Sequence, residues 1–182
     1  MNFELPRLTI RPARADDSLC LSVLAMQVSL DTYATEGIRP AIAREVLTAY
    51  RSEVFAALLT EPQSAIEVAE YGGHLIGFNQ LSFNAPQPLL PHAGACELFR
   101  LSVQEPFTGR GVGRAVLQSA ECLATQRAAP VLWLTPWVHN HRALAFYAAL
   151  GYEDHGAAVF CLEGEAHQNR VLAKQLAAGP AA

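Results

Sequence analysis

Three glycines within five residues constrain the fold of this chain more than any other feature. They form the segment Gly109-Arg110-Gly111-Val112-Gly113, which follows the apolar run Leu101-Ser102-Val103 and precedes a stretch with helical spacing. Glycine tolerates positive φ and lets the backbone approach a bound anion closely. The N–H groups and the dipole at a helix start favour phosphate there. The segment therefore predicts a strand, a phosphate-binding loop and a helix over 112–126, with Arg110 and Arg114 adding positive charge.

Two common nucleotide-binding loops fit these glycines poorly. A Walker loop continues with Lys and then Ser or Thr, whereas Gly113 is followed by Arg114 and Ala115. A Rossmann loop opens a βαβ unit with the spacing GxGxxG. The loop in this chain lies past mid-chain and has the spacing GxGxG. Both nucleotide-binding interpretations are therefore disfavoured.

The remaining pattern is typical of one mixed α/β domain, because strand-like and helix-like runs alternate without a linker or repeat. We expect this domain to span 1–182, with an ordered part over about 7–176 and a tail over 177–182. The predicted elements, in chain order, are a strand at 8–11, helices at 19–30 and 42–58, a hairpin at 66–83, a loop at 84–94, a strand at 96–103, helix 112–126, a strand at 131–134, a helix at 140–150, and strands at 159–162 and 170–173.

The segment Trp133–Tyr152 supplies a second group of candidate residues, which includes Asn140, Ala143, Phe146-Tyr147 and Gly151-Tyr152. Together with the upstream loop, this segment resembles the GNAT acetyltransferases. Their pyrophosphate loop has the pattern Arg/Gln-x-x-Gly-x-Gly/Ala after a strand, and a further strand and helix follow it. The glycines match at 111 and 113, whereas Thr108 occupies the position at which the family usually has Arg or Gln.

The resemblance extends over Glu97–Tyr152, and the preceding elements follow the family's order. It implies an α/β (α+β) GNAT fold, with a mixed and mostly antiparallel central sheet of six to seven strands flanked by about four helices. It also implies an N-acetyltransferase that moves the acetyl group of acetyl-CoA directly to a primary amine. The residues expected at the coenzyme are Leu101, Ser102, Val103, Thr108, Gly109, Arg110, Gly111, Val112, Gly113, Arg114 and Asn140.

The resemblance gives catalytic roles to two further residues. Tyr147 matches the family tyrosine near the thioester sulfur, and a phenol with a pKa of ~10 can protonate a leaving thiolate. Its alternative role is core packing with Phe146. Glu97, on the strand leading to the loop, is the candidate general base, since a carboxylate can take a proton directly or through water. Its alternative role is an ion pair with an arginine such as Arg100.

The acceptor is less constrained than the donor. Within the family, Glu97–Leu101, the tryptophans 133 and 137, and Phe160–Glu165 look most like the bacterial PaiA-like polyamine acetyltransferases. Acetylation of a protein N-terminus, a lysine or an antibiotic amine is the alternative, as is a regulator that binds acyl-CoA without catalysis. A homodimer is compatible with the sequence.

Composition and spacing argue against several other functions. A net charge of -4 disfavours a nucleic-acid surface, and no apolar stretch reaches the ~20 residues of a membrane helix. The four widely spaced cysteines indicate buried free thiols in a reducing cytoplasm. His139 and His141 have no third ligand at metal-binding spacing, so we expect no metal and expect both histidines to face solvent or to cap the helix.

Overall fold

Seven strands and five α-helices form within residues 7–162 and 165–177, which are the residues that this computed structural model describes. The side chains of 160–165 lie outside the described part. The strands are β1 Leu8–Pro12, β2 Ser64–Tyr71, β3 His74–Ser82, β4 Cys96–Val103, β5 Val131–Leu134, β6 Glu153–Leu162 and β7 Glu165–Gln175. The helices are α1 Ser18–Tyr33, α2 Pro40–Ala49, α3 Ser52–Leu58, α4 Val112–Gln126 and α5 His141–Ala148.

The strands are joined in one mixed sheet with the order β1-β2-β3-β4-β5-β7-β6. The pairs β1–β2, β5–β7 and β6–β7 are antiparallel, whereas β4 and β5 are parallel. A parallel neighbour requires a crossover connection, and α4 supplies it between β4 and β5. The predicted α/β fold class with a mixed sheet of six to seven strands is confirmed.

The chain is divided into two compact units. The first runs to Leu81 and takes up Arg100–Ala120, and the second comprises Ser82–Phe99 and the chain from Glu121 onward. Each unit contains buried apolar clusters. One cluster of the first unit includes Leu21, Phe55, Val68 and Phe78, and one of the second includes Leu90, Val131, Trp133 and Val171. The single domain over 1–182 stays a prediction, and residues 178–182 of the expected tail lie outside the described part.

The single helix expected over 42–58 is two helices in the structure. α2 ends at Ala49, Arg51 has the extended backbone of a helix N-cap, and α3 begins at Ser52. The carbonyl of Tyr50, at the break, accepts a hydrogen bond of 2.5 Å from the Ser22 hydroxyl of α1. A contact from another helix thus satisfies a carbonyl at this helix end.

The last two strands are longer than the runs at 159–162 and 170–173 indicate. β6 and β7 pair from Glu153 opposite Ala173 to Leu162 opposite Glu165, with a register shift between Asp154 and Gly156. The side chains of Phe160–Glu165, which carried part of the PaiA-like resemblance, are outside the described part. Among the described residues, no helix combines the length and apolarity needed to cross a bilayer.

Candidate active site

The glycine loop has the backbone that its sequence predicts. Gly109 and Gly111 adopt φ values of 68° and 86°, a region that other residues rarely occupy. α4 begins at Val112, and the Gly111 carbonyl accepts the first helical hydrogen bond, from Ala115 N–H at 3.0 Å. The N–H groups of the first turn have no partner within a helix. With the exposed Arg110 close in sequence, this end of α4 can bind an anion.

Thr108 closes the turn that precedes the loop. Its hydroxyl donates to the Glu105 carbonyl at 2.9 Å, and its N–H donates to the same carbonyl at 3.1 Å. Both groups therefore stabilise the 3₁₀ turn Glu105–Phe107. A role of Thr108 at the coenzyme stays a prediction.

The other coenzyme candidates of the first unit lie at the end of β4, beside a glycine that sequence reasoning missed. Gly77 of β3 packs so closely on this strand that a Cβ there would lie 2.7 Å from the Ser102 carbonyl oxygen. The Gln104 N–H donates to Ile76 O at 2.9 Å and keeps the two strands together. An isolated glycine inside a strand is the sequence signal for such a close backbone approach. Gly77 thus helps to set the position of Leu101–Val103.

In the second unit, β4 and β5 pair over only two residue pairs, Cys96 with Leu132 and Glu97 with Trp133. β5 pairs with β7 from Val131 to Leu134, and backbone hydrogen bonds to β7 continue past the end of β5. The Arg170 N–H donates to Pro136 O at 3.0 Å, and the Val138 N–H donates to Gln168 O at 3.1 Å. Glu97 therefore lies where the β4–β5 ladder ends.

The carboxyl group of Glu97 is partly buried, and burial raises its pKa to about 7. The ion pair with Arg100 that the sequence left open is not among the causes of this shift. In the first unit, the Arg100 guanidinium donates to Gln80 and lies 5.1 Å from the Tyr50 ring centroid. A carboxyl with a pKa near neutrality exchanges protons readily at physiological pH, as a general base must.

Asn140, a residue expected at the coenzyme, caps α5. Its Oδ1 accepts a hydrogen bond of 3.0 Å from the Ala143 N–H. The two neighbouring histidines, His139 and His141, are exposed. Among the side chains that the structure describes, those of 7–159 and 166–177, no three acidic, His or Cys residues are grouped as metal ligands would be.

Tyr147 is buried on α5, with 8% of its surface exposed. Its ring makes edge-to-face contacts with Phe146 at 5.1 Å and Tyr152 at 5.5 Å. Tyr152 is held in turn, because its hydroxyl donates to Glu121 at 3.2 Å and Lys174 binds both oxygens of that carboxylate at 2.9 and 3.0 Å. This packing fixes the Tyr147 ring within the second unit.

The candidate residues are thus distributed over both units. The glycine loop and Leu101–Val103 belong to the first, and Glu97, Asn140 and Tyr147 belong to the second. Their roles toward a ligand stay predictions. The predicted burial of the free thiols holds for Cys96, whose pKa burial raises to about 12, but is wrong for the exposed Cys20 and Cys122.

A family model of the acetyltransferases decides the identity. The model of the acetyltransferase (GNAT) family matches residues 32–152, which is more than half of the chain. The chain belongs to the GNAT acetyltransferase family. The match includes Glu97, the glycine loop, Asn140 and Tyr147. The predicted family, and with it the predicted acetyltransferase class with acetyl-CoA as co-substrate, is confirmed.

Known proteins similar to this GNAT chain agree with that assignment. An uncharacterized N-acetyltransferase of Lactobacillus delbrueckii subsp. lactis is 23% identical over 153 residues, which are 84% of this chain and 88% of the relative. An uncharacterized N-acetyltransferase of Mycobacterium tuberculosis is 27% identical over 142 residues, 75% of this chain and 86% of the relative. The crystal structure of the PaiA N-acetyltransferase from Thermoplasma acidophilum in complex with coenzyme A has a TM-score of 0.72 at 20% identity, covering 92% of this chain and 98% of that chain.

Proposed function

We propose that this GNAT protein acetylates a small primary amine by direct transfer from acetyl-CoA, with polyamines as the acceptor class that the sequence favours. The observation that carries the proposal is the family match over residues 32–152, because it includes every candidate residue of the site. The PaiA neighbour adds support for the branch, since its fold is similar over most of both chains. A cytoplasmic location and a homodimer stay predictions.

The glycine loop fits the pyrophosphate of coenzyme A. Positive φ at Gly109 and Gly111 turns the backbone toward the start of α4, where N–H groups and the helix dipole favour negative charge. Arg110 and Arg114 are exposed and add formal charge. At Asn140, the capping oxygen is occupied by Ala143 N–H, which leaves the side-chain amide N–H groups for the pantetheine arm.

Acetyl-CoA supplies an acetyl group activated as a thioester. Side chains of this protein transfer the protons that the reaction requires. Glu97, with its raised pKa, accepts a proton from the acceptor ammonium, directly or through water. The free amine attacks the acetyl carbonyl, and the carbon–sulfur bond breaks as Tyr147 donates its phenolic proton to the departing thiolate. Tyr147 regains a proton from the acceptor nitrogen, which becomes the amide nitrogen. Backbone N–H groups at Leu101 and Val103 orient the acetyl carbonyl and the pantetheine. An acetylated enzyme does not form in this scheme.

The acceptor class is tested by a thiol-release screen with acetyl-CoA against spermidine and spermine, single amino acids, aminoglycosides and peptides. We expect the highest kcat/KM with a polyamine. A monoamine of similar chain length is the matched control for the second ammonium group. Faster turnover of a peptide or an aminoglycoside would overturn the polyamine assignment, and CoA binding without thiol release for any amine would indicate a regulator.

The pH dependence of turnover tests Glu97. Because its carboxyl has a pKa of about 7, the base is protonated at lower pH, and kcat/KM should fall about tenfold per pH unit below that value. Glu97→Gln should remove this acidic limb and lower kcat about 100-fold. Because burial raises the pKa of Glu97 only in the folded state, folding becomes less favourable as pH rises from 4.5 toward 7. Glu97→Gln should therefore increase the free energy of unfolding at pH 8 but not at pH 4. The expected gain is about 2 kcal/mol, which is less than the full pKa shift implies because solvent screens the partly exposed carboxyl.

Glu153→Gln is the matched control, because this carboxylate is exposed, belongs to the same unit as Glu97 and is not a candidate residue of the site. It should keep the acidic limb of the pH profile and the wild-type stability at both pH values. If Glu97→Gln kept the acidic limb unchanged, Glu97 would not be the base.

A further inference from the structure

A buried polar cluster lies beneath α4 in the first unit, outside the residues assigned so far. Its centre is Asn79 of β3, a central strand, whose side chain is fully buried (0% exposed). The Asn79 amide nitrogen donates to the Glu67 carboxylate at 2.8 Å and to the Val116 carbonyl at 3.2 Å. The other Glu67 oxygen accepts from the Ser119 hydroxyl at 2.9 Å. We call Asn79, Glu67 and Ser119 the Asn79 cluster.

The Asn79 cluster joins two strands to the helix that starts at the glycine loop. Asn79 contacts the second turn of α4 at Val116, and Glu67 of β2 contacts the third turn at Ser119. Among the described residues, the Oδ1 of Asn79 has no hydrogen-bond partner. A buried acceptor without a partner is costly, and this cost offsets part of what the two donated hydrogen bonds contribute to stability. An apolar residue of the same size would remove the unpaired oxygen and the two hydrogen bonds together. The amide therefore adds little to stability but much to geometry.

The apolar contacts of α4 cannot supply the same geometry. The helix packs on β2 and β3 through Val112 and Val116, which meet Ala69, Tyr71 and Ile76. Apolar contacts of this kind are non-directional, so they tolerate small rotations and shifts of a helix. Hydrogen bonds tolerate them poorly, because they weaken steeply with distance and angle.

We propose that the Asn79 cluster is a positioning device for the coenzyme site, holding α4 at one place on the sheet so that its first-turn N–H groups meet the pyrophosphate. The proposal rests on the proposed function, since it takes the glycine loop to be the site of coenzyme A. Asn79 acts through α4 and needs no contact with the ligand. Displacements of about 1 Å are enough to lose well-aligned contacts to a bound group.

Calorimetric titration with CoA, at a temperature well below unfolding, tests the proposal. Asn79→Leu should keep the fold and thermal midpoint within a few degrees but raise the Kd for CoA about tenfold. The KM for acetyl-CoA should rise in parallel, whereas kcat changes less. Gln118→Ala is the matched control, because this exposed residue of α4 lies beside Ser119 and outside the cluster. It should leave the Kd unchanged.

Two further variants keep the test decisive. If Asn79→Leu does not fold, Ser119→Ala, which removes a single contact of the cluster, should still raise the Kd. Glu67→Gln keeps both contacts, because its amide oxygen accepts from Asn79 and its amide nitrogen donates to the Ser119 hydroxyl, so this variant should bind CoA nearly as wild type. A folded Asn79→Leu with wild-type Kd would overturn the inference alone, while a wild-type chain that binds no CoA would overturn the proposed function as well.

Discussion

Replacing Gly111 with valine is expected to weaken CoA binding about 100-fold or more, as the loss of two charge-assisted hydrogen bonds would. Gly111 has a φ of 86°, and a β-branched residue there is a steric outlier. The backbone must therefore leave this conformation, and the N–H groups at the start of α4 turn away from the pyrophosphate. Calorimetric titration of the variant with CoA measures the effect.

Gly73→Val is the matched control for this strain. Gly73 lies in the β2–β3 turn of the same unit with a similar φ of 82°, and no atom lies within 4 Å of the position that its Cβ would occupy. The substitution should lower stability but leave the Kd for CoA unchanged. If the variants at 111 and 73 bound CoA equally well, the glycine loop would not be the coenzyme site.

Tyr147→Phe should lower kcat about 100-fold, at the lower end of what general acid catalysis contributes, without changing the Kd for CoA. The phenylalanine ring keeps the contacts with Phe146 and Tyr152, so packing on α5 is preserved. The substitution removes the hydroxyl alone. Steady-state kinetics with saturating amine, combined with CoA titration, separates the two effects.

Tyr152→Phe is the control, because it removes the hydroxyl of the ring that packs against Tyr147. That hydroxyl donates to Glu121, so its loss should lower stability while kcat falls only a few-fold. Wild-type turnover of Tyr147→Phe would contradict its role as the acid, and an equal loss in both variants would point to packing instead.

Features with local causes could be predicted from the sequence. α4 begins at Val112, as the glycines before it indicate, and Asn140 caps α5, because a cap depends on a few neighbouring residues. The β2–β3 hairpin around Gly72 and Gly73 follows from its turn residues in the same way.

Features that depend on distant residues could not be predicted. The break between α2 and α3 involves Ser22 on another helix, and the raised pKa of Glu97 results from burial that composition does not show. The role of Gly77 depends on the Ser102 carbonyl of the neighbouring strand. In the sequence, Asn79 is only a polar residue within a strand. Its burial and its hydrogen bond to α4 result from the packing of the helix on the sheet.

Direct transfer of the acetyl group to an amine is tested by amine-dependent release of the CoA thiol. Purified protein is incubated with acetyl-CoA and each amine of the panel, and the mass of the intact protein is recorded in parallel. Direct transfer predicts one thiol released per acetylated amine, with the mass of the protein unchanged throughout. Thiol release that never exceeds the amine-free rate, or an acetylated protein that forms and decays during turnover, would contradict direct transfer to an amine.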